Sequence, residues 1–80
     1  MPRSLHTPEY GRFRSLLVEA RKKAGVSQAD LAKALAKPQS FVSKFERGER
    51  RLDIVEFKAV ADALGLDPIK LLRLFYKGIA

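Results

Sequence analysis

The sequence predicts an all-α domain, a compact bundle of five helices. Apolar residues recur at helical spacing in five segments separated by glycine or proline, and no segment shows the alternation that a half-buried β-strand requires. The chain has 80 residues, enough for one hydrophobic core and too few for two. We therefore expect one domain over 1–80, with a flexible arm at 1–6 and a C-terminal helix and tail at 66–80.

Residues typical of helix ends bound the first two helices. Thr7 and Pro8 predict the start of helix one, and Gly25 predicts its left-handed stop. Ser27 predicts the N-cap of helix two, which we expect to end near Lys37. The connection that follows is only a few residues long.

Helix three is predicted from about Pro38 to Arg47 and is closed by Gly48. On a helical wheel its apolar residues fall within about 100° and its polar residues on an opposite arc of about 140°. The apolar residues are Phe41, Val42 and Phe45. The polar arc contains Gln39, Ser40, Ser43, Lys44 and Arg47. Such side chains can pair with base edges in a DNA groove, although an ordinary solvated helix face is the alternative.

Helices four and five begin with acidic residues. Asp53 and Glu56 have the spacing of a capping box before helix four, which Gly65 ends, and Asp67-Pro68 opens helix five. Apolar side chains cover about 220° of the wheel of helix five, more than one core contact uses. The surplus predicts a two-fold homodimer in which the two copies of helix three lie about 34 Å apart. The alternative is that both sides of helix five pack within one protomer. The predicted interface residues are Leu71, Leu72, Leu74 and Phe75.

The net charge of +7 is concentrated in the middle of the chain. Residues 21–51 contain nine Lys or Arg and three Asp or Glu, a net charge of +6, whereas residues 52–80 are balanced. A local basic surface favours a polyanionic partner, although charge alone is also compatible with a solvated face.

Other residue types exclude several classes of protein. The chain has no cysteine and one histidine, so disulfides, thiolate zinc sites and cysteine nucleophiles are excluded. No metal-ligand cluster or phosphate-binding glycine loop is present, so we expect no enzyme, cofactor, metal or small-molecule ligand. No stretch approaches the roughly 18 apolar residues of a membrane span, and no signal peptide begins the chain. We expect a cytoplasmic, nucleoid-associated protein.

Three segments resemble the Cro/C1-type helix-turn-helix regulators, also called the Xre family. Residues 21–25 are similar to the end of the family's helix one, 27–32 to the start of its helix two, and 39–48 to its recognition helix and closing glycine. The resemblance covers roughly residues 12–72. It implies a lambda-repressor-like fold whose helices two and three form the helix-turn-helix. It also implies a transcriptional regulator that binds double-stranded DNA sequence-specifically, as a repressor or as an activator. A protein-binding module of the same fold, such as an antitoxin or a coactivator, is the alternative.

The resemblance also implies roles for individual residues. Ser27 and Gln28 would bind a phosphate at the start of helix two, where free N–H groups and the helix dipole favour an anion. The base-reading residues would be Gln39, Ser40, Ser43 and Lys44. Further phosphate contacts would come from Arg47, Arg50 and Arg51, although loop arginines such as the last two are also commonly only solvated. Arg21 and Glu46 would form a structural ion pair, although Arg21 could also face a phosphate.

Two positions depart from the family pattern. Phe41 stands where many members have a small or polar residue, and it would either complete the core or press on a thymine methyl group. Ala36 stands at a turn position where the family favours glycine. Because alanine is strained at positive φ, we expect this turn to be built differently. Arg3 and His6 in the arm are not assigned a role in binding.

Overall fold

The computed structural model describes residues 7–79 and places five α-helices in them. These are α1 (Pro8–Lys23), α2 (Gln28–Leu35), α3 (Gln39–Glu46), α4 (Ile54–Ala63) and α5 (Pro68–Ile79). Residues 7–79 contain no β-strand. The predicted all-α fold of five helices is therefore confirmed. The arm predicted at 1–6, with Arg3 and His6, lies outside the described residues.

Side-chain caps fix the starts of three helices at the positions that the sequence predicts. The hydroxyls of Thr7 and Ser27 each accept a hydrogen bond, 3.0 Å long, from the backbone N–H three residues further on. At α4 the capping box is complete: Asp53 accepts from the N–H of Glu56 at 2.7 Å, and the Glu56 carboxylate accepts from the N–H of Asp53 at 2.9 Å. Each cap contributes about 1 kcal/mol to stability.

The turn between α2 and α3 is closed by a left-handed alanine. Ala36 has φ 56° and ψ 42°, and the Lys37 N–H donates to the Ala32 carbonyl at 3.0 Å. This is the backbone that glycine usually supplies at a helix C-terminus, and an L-residue there costs about 1 to 2 kcal/mol. The expectation of a differently built turn is wrong, because the chain keeps the usual turn and tolerates the strain. Helix two accordingly ends at Leu35 and not near Lys37.

All five helices contribute to one hydrophobic core. Its largest fully buried side chains are Leu17, Leu31, Val42, Phe45 and Val60. The Phe13 ring joins α1 to α4 and α5, with its centroid 5.5 Å from that of Phe57 and 5.6 Å from that of Phe75. Aromatic pairs of this kind add about 0.5 to 1.5 kcal/mol beyond the burial of their area. The core fixes α3 with one face inward and the other in solvent.

Helix α5 uses its apolar residues differently from the prediction. Leu71 is 5% exposed and lies in the protomer's own core, so it leaves the predicted dimer interface. Phe75 is half-buried against Phe13, and Leu72 is half-buried as well. Only Leu74 of the predicted set, at 54%, is strongly exposed. A helical wheel gives the angular spread of the apolar side chains but not which of them face the protomer's own core.

Candidate DNA interface

The outer face of α3 carries the predicted base-reading residues. Gln39, Ser40 and Lys44 are exposed, and Ser43 is partly exposed, with its hydroxyl donating weakly to the Ser40 carbonyl at 3.4 Å. On the opposite face of the helix Val42 and Phe45 are fully buried and Phe41 is half-buried. Side chains with free hydrogen-bonding groups therefore share one accessible surface, as the wheel predicts.

The C-terminal end of α3 is held by a buried ion pair. Arg21 donates from Nε to Glu46 Oε2 at 2.6 Å and from Nη2 to Oε1 at 3.0 Å, which is the pairing that the resemblance implies. Gln28 donates to the same Oε1 at 2.8 Å, and Arg21 Nη1 donates to the Val26 carbonyl at 2.8 Å. One carboxylate thus joins α1, the start of α2 and the end of α3. Glu46 is only 7% exposed, and these bonds compensate for its burial.

Arg14 supports the same helix end and was not singled out from the sequence. Its Nη1 donates to the backbone carbonyl of Glu46 at 2.6 Å, which places a cation at the negative end of the α3 dipole. Gly48 follows with φ 81°, and a Cβ there would lie 3.2 Å from Arg14 Nε. The one available signal was that Arg14 lies two helical turns before Arg21, on the same side of α1.

Ser27 and Gln28, predicted to bind phosphate, both have partners within the protein. The Ser27 hydroxyl caps its own helix, and one amide hydrogen of Gln28 is bonded to Glu46. The second amide hydrogen of Gln28 and the first N–H groups of α2 are the donors that this end offers to an anion.

The three arginines predicted to bind phosphate differ in their surroundings. Arg47 is exposed and pairs with Glu49 at 2.8 Å; this pairing lowers the pKa of Glu49 and raises that of Arg47. Arg50 forms two hydrogen bonds to Glu56, at 2.8 and 2.9 Å. The guanidinium carbon of Arg51 lies 4.3 Å from the centroid of a tyrosine ring, that of Tyr10.

Phe41 packs at the edge of the core, and two basic side chains lie over its ring. It is half-buried, its ring centroid lies 5.7 Å from that of Phe45, and the contact is edge to face. Arg50 and Lys37 approach the same ring, at 4.7 and 5.4 Å from its centroid. Of the two roles left open for Phe41, the structure shows the first.

Two surfaces outside α3 expose large hydrophobic side chains. One, called the apolar corner here, lies where α4 and α5 begin and consists of Ile54, Val55, Ile69 and Leu72, around a groove of about 370 Å³. The other, called the outer face of α5, consists of Lys70, Arg73, Leu74, Tyr76 and Lys77. One charged side chain, that of Lys58, also lines the groove of the corner, whereas the outer face contains three cations and no acid.

Between residues 7 and 79, no helix is both long enough and apolar enough to cross a membrane. The same part of the chain contains no group of His, Asp or Glu side chains that could hold a metal ion.

A short helix with one buried face, set across a tight turn from the helix before it, defines a helix-turn-helix protein. A helix-turn-helix family model matches residues 17–71 of the chain. The chain belongs to this family, in its Cro/C1 or XRE type, whose members are DNA-binding regulators of transcription rather than enzymes.

Solved structures of the same type are similar over most of the chain. An XRE-family like protein from Pseudomonas syringae pv. tomato is 44% identical, with 90% of this chain and 88% of that chain covered and a TM-score of 0.86. The restriction-modification controller protein C.AhdI from Aeromonas hydrophila is 32% identical, with coverages of 81% and 98% and a TM-score of 0.74. The controller protein C.Esp1396I, solved as a tetramer with its natural 35 base-pair operator, is 19% identical, with coverages of 90% and 95% and a TM-score of 0.81. A comparison with curated protein sequences found no significant match.

Proposed function

We propose that this protein binds a specific double-stranded DNA operator as a homodimer, with α3 of each protomer in the major groove. The observation that carries the proposal is the exposed hydrogen-bonding face of α3, on a helix whose other face is buried and whose end is held by the Arg21–Glu46 pair. The operator-bound assembly of C.Esp1396I supports the operator and the oligomer by analogy.

Base recognition is assigned to the outer face of α3. Gln39 at the first turn can pair with adenine through both amide atoms, and Lys44 can donate to the acceptors of guanine. Ser40 and Ser43 supply short hydroxyls that accept or donate. A good bidentate pair contributes about 1 to 3 kcal/mol of discrimination between bases.

Phosphate binding is assigned to residues at the two ends of the helix-turn-helix. Ser27 and Gln28 offer the start of α2, while Arg47 and Arg51 lie at and beyond the end of α3. Arg50, expected in the same set, is removed from it because Glu56, which the α4 capping box holds in place, already neutralises its guanidinium. Arg47 is kept because its partner Glu49 is more than half exposed and has no second contact of this kind, so a phosphate can replace it. Contacts of this kind position a protein on the duplex without reading its sequence.

In vitro selection from random duplexes tests the proposal. We expect one palindromic site to be enriched and Gln39→Ala or Lys44→Ala to lower affinity for it at least tenfold, with relaxed preference at one base pair. Arg73→Ala, on the outer face of α5, removes a cation away from α3 and is the matched control. If no duplex is enriched, or if both α3 variants bind the selected site as the control does, the proposed readout is wrong and a protein-binding module takes its place.

The dimer interface is assigned to the apolar corner and not to the outer face of α5. A two-fold interface brings each patch against its own copy. The outer face would then bring three cations of one protomer against three of the other, without an acid between them. The corner exposes Ile54 and Val55 at 67% and 72% and Ile69 at 54%, with one lysine at its edge, so self-association there buries apolar surface with little repulsion. This retains α5 in the interface through Ile69 and Leu72.

Paired glutamate substitutions distinguish the two surfaces. Val55→Glu puts an acid into the first turn of α4, where the helix dipole favours it, so the protomer should fold normally. We expect it to give a monomer at tens of micromolar by sedimentation equilibrium and to weaken operator binding, because a two-fold interface buries the new charge twice. Leu74→Glu is the matched control and should remain dimeric. The opposite result would assign the dimer to the outer face of α5.

A further inference from the structure

The loop from α3 to α4 is joined to the rest of the protein through two arginines that each lie over an aromatic ring. The guanidinium carbon of Arg50 is 4.7 Å from the centroid of Phe41 on α3, and that of Arg51 is 4.3 Å from the centroid of Tyr10 on α1. The Tyr10 hydroxyl also accepts from the Leu52 N–H at 3.0 Å. The two arginines thus tie one loop to two different helices.

Arg50 and Arg51 differ in how much of their charge is free. Arg50 Nη1 donates to Glu56 Oε1 and to the Arg51 carbonyl, both at 2.9 Å, and Nη2 donates to Glu56 Oε2 at 2.8 Å. Arg51 has no carboxylate partner among the described residues. A phosphate approaching Arg50 would meet a guanidinium already bound on its planar edge by an anion, whereas Arg51 can still attract one.

Glu56 is itself fixed in place. Its Oε1 also accepts from the N–H of Asp53, and the Asp53 carboxylate accepts from the N–H of Glu56, so the carboxylate belongs to the capping box of α4. The Arg50 hydrogen bonds, followed by the one from the Asp53 backbone, lower the pKa of Glu56 to about 2. The carboxylate therefore remains ionised at neutral pH, and the guanidinium it holds lies against the first turns of α3.

We propose that Arg50 is a positioning residue for sequence recognition and not a phosphate ligand. The set of Phe41, Arg50 and Glu56, called the clamp here, joins the start of α4 to the part of α3 between Ser40 and Ser43, so it fixes the tilt at which the base-reading face meets the groove. The inference rests on the proposed function. It also gives the departure from the family at Phe41 a physical role, since the ring is the platform on which the guanidinium lies.

Salt-dependent binding to two duplexes separates positioning from phosphate contact. Affinities of the purified full chain are measured on the selected operator and on an unrelated duplex of equal length, from about 50 to 200 mM salt. Arg50→Met should lower operator affinity roughly tenfold, change affinity for the unrelated duplex less than about twofold, and leave the salt slope of both unchanged. Arg51→Met, the matched control in the same loop, should weaken binding to both duplexes and reduce the slope by about 0.9.

Glu56→Gln gives a second test, because it should change the affinities for the two duplexes in opposite directions. The amide oxygen can still accept from the α4 cap, but the partner charge is lost. Operator affinity should therefore fall as in Arg50→Met, while affinity for the unrelated duplex should rise because the guanidinium charge is released. Thermal unfolding of each variant establishes that the chain is folded at the assay temperature.

Each alternative result has a defined meaning. Arg50→Met that weakens both duplexes equally and reduces the slope by about 0.9 identifies a phosphate ligand, and Arg50→Met that binds like the wild type shows that the clamp positions nothing. Either result overturns the inference while Gln39→Ala and Lys44→Ala still support the proposed function. If the wild-type chain enriches no duplex, the proposed function fails and the positioning role fails with it.

Discussion

Removal of the Arg21 guanidinium tests whether the buried ion pair holds α3 in place. Arg21→Met keeps most of the side-chain length and deletes three hydrogen bonds, two to the Glu46 carboxylate and one to the Val26 carbonyl. The carboxylate is then left in a site where its side chain is 6% exposed, with Gln28 as the remaining side-chain donor. An unpaired charge in such a site is the reason to expect a large effect.

The expected loss is a substantial part of the total stability. Removing one partner of a buried ion pair costs about 3 to 5 kcal/mol, and a domain of this length has roughly 4 to 12 kcal/mol of unfolding free energy. We expect Arg21→Met to lose at least about 3 kcal/mol and its melting temperature to fall by more than about 10 °C. Both partners are shielded from water, with side-chain exposures of 11% and 6%, so screening does not reduce this value much.

Urea unfolding followed by circular dichroism measures the loss, and a second arginine, Arg47 at the C-cap of α3, provides the control. Arg47 pairs with Glu49 through the same two types of side chain, but these are 57% and 53% exposed. Exposed pairs contribute little, so Arg47→Met should leave the unfolding midpoint unchanged. The reasoning is refuted if both variants shift the midpoint equally, or if Arg21→Met costs less than about 1 kcal/mol.

Four further substitutions have expected effects on stability that differ in sign or size. The pKa of Glu56 lies at about 2, below its usual 4.5, because of hydrogen bonds first from Arg50 and then from the α4 backbone. Its stabilisation is therefore present above pH 4.5 and lost as the pH falls towards 2; Glu56→Gln should flatten this part of the stability–pH curve, and an unchanged slope would contradict the assignment. Ala36→Gly should stabilise the protein by about 0.5 to 1 kcal/mol, since relief of left-handed strain exceeds the added backbone entropy, and a lower melting temperature would show that the strain is absent. Leu71→Ala should destabilise by about 2 to 5 kcal/mol and Leu74→Ala by less than about 0.5, and equal values would return Leu71 to the surface.

The sequence predicts the helices well because their ends are encoded locally. Thr7, Ser27 and Asp53 cap the helices whose starts they predict, and each acts on a backbone N–H three residues away. The Arg21–Glu46 pair joins distant residues, and it was anticipated through a family resemblance and not through spacing.

What could not be predicted depends on contacts between distant residues. A helical wheel gives the angle between Leu71 and Leu74 but not which of them faces the core, because that depends on how α5 lies against α1 and α4. The resemblance implies a phosphate contact for Arg50, and the sequence alone does not show that Glu56 binds the edge of its guanidinium while the Phe41 ring lies beside it. For Ala36 the steric argument was sound, but the tight turn outweighs about 1 to 2 kcal/mol of strain.

The shortness of α3 gives a reason for the two ion pairs beside it, Arg21–Glu46 and Arg50–Glu56. A helix of eight residues is far below the length that is stable alone, its Ser, Phe and Val residues have modest helix propensity, and Pro38 at its N-cap provides no side-chain cap. Its order must come from its neighbours. Its buried face supplies part of this order. Arg21 from α1 holds its last turn, and Arg50 from the loop lies over Phe41 in its first turn. Contacts at both ends restrict rotation of the helix about its own axis more than one contact does. For a helix whose outer face is to meet particular base edges, that rotation decides which bases its side chains reach.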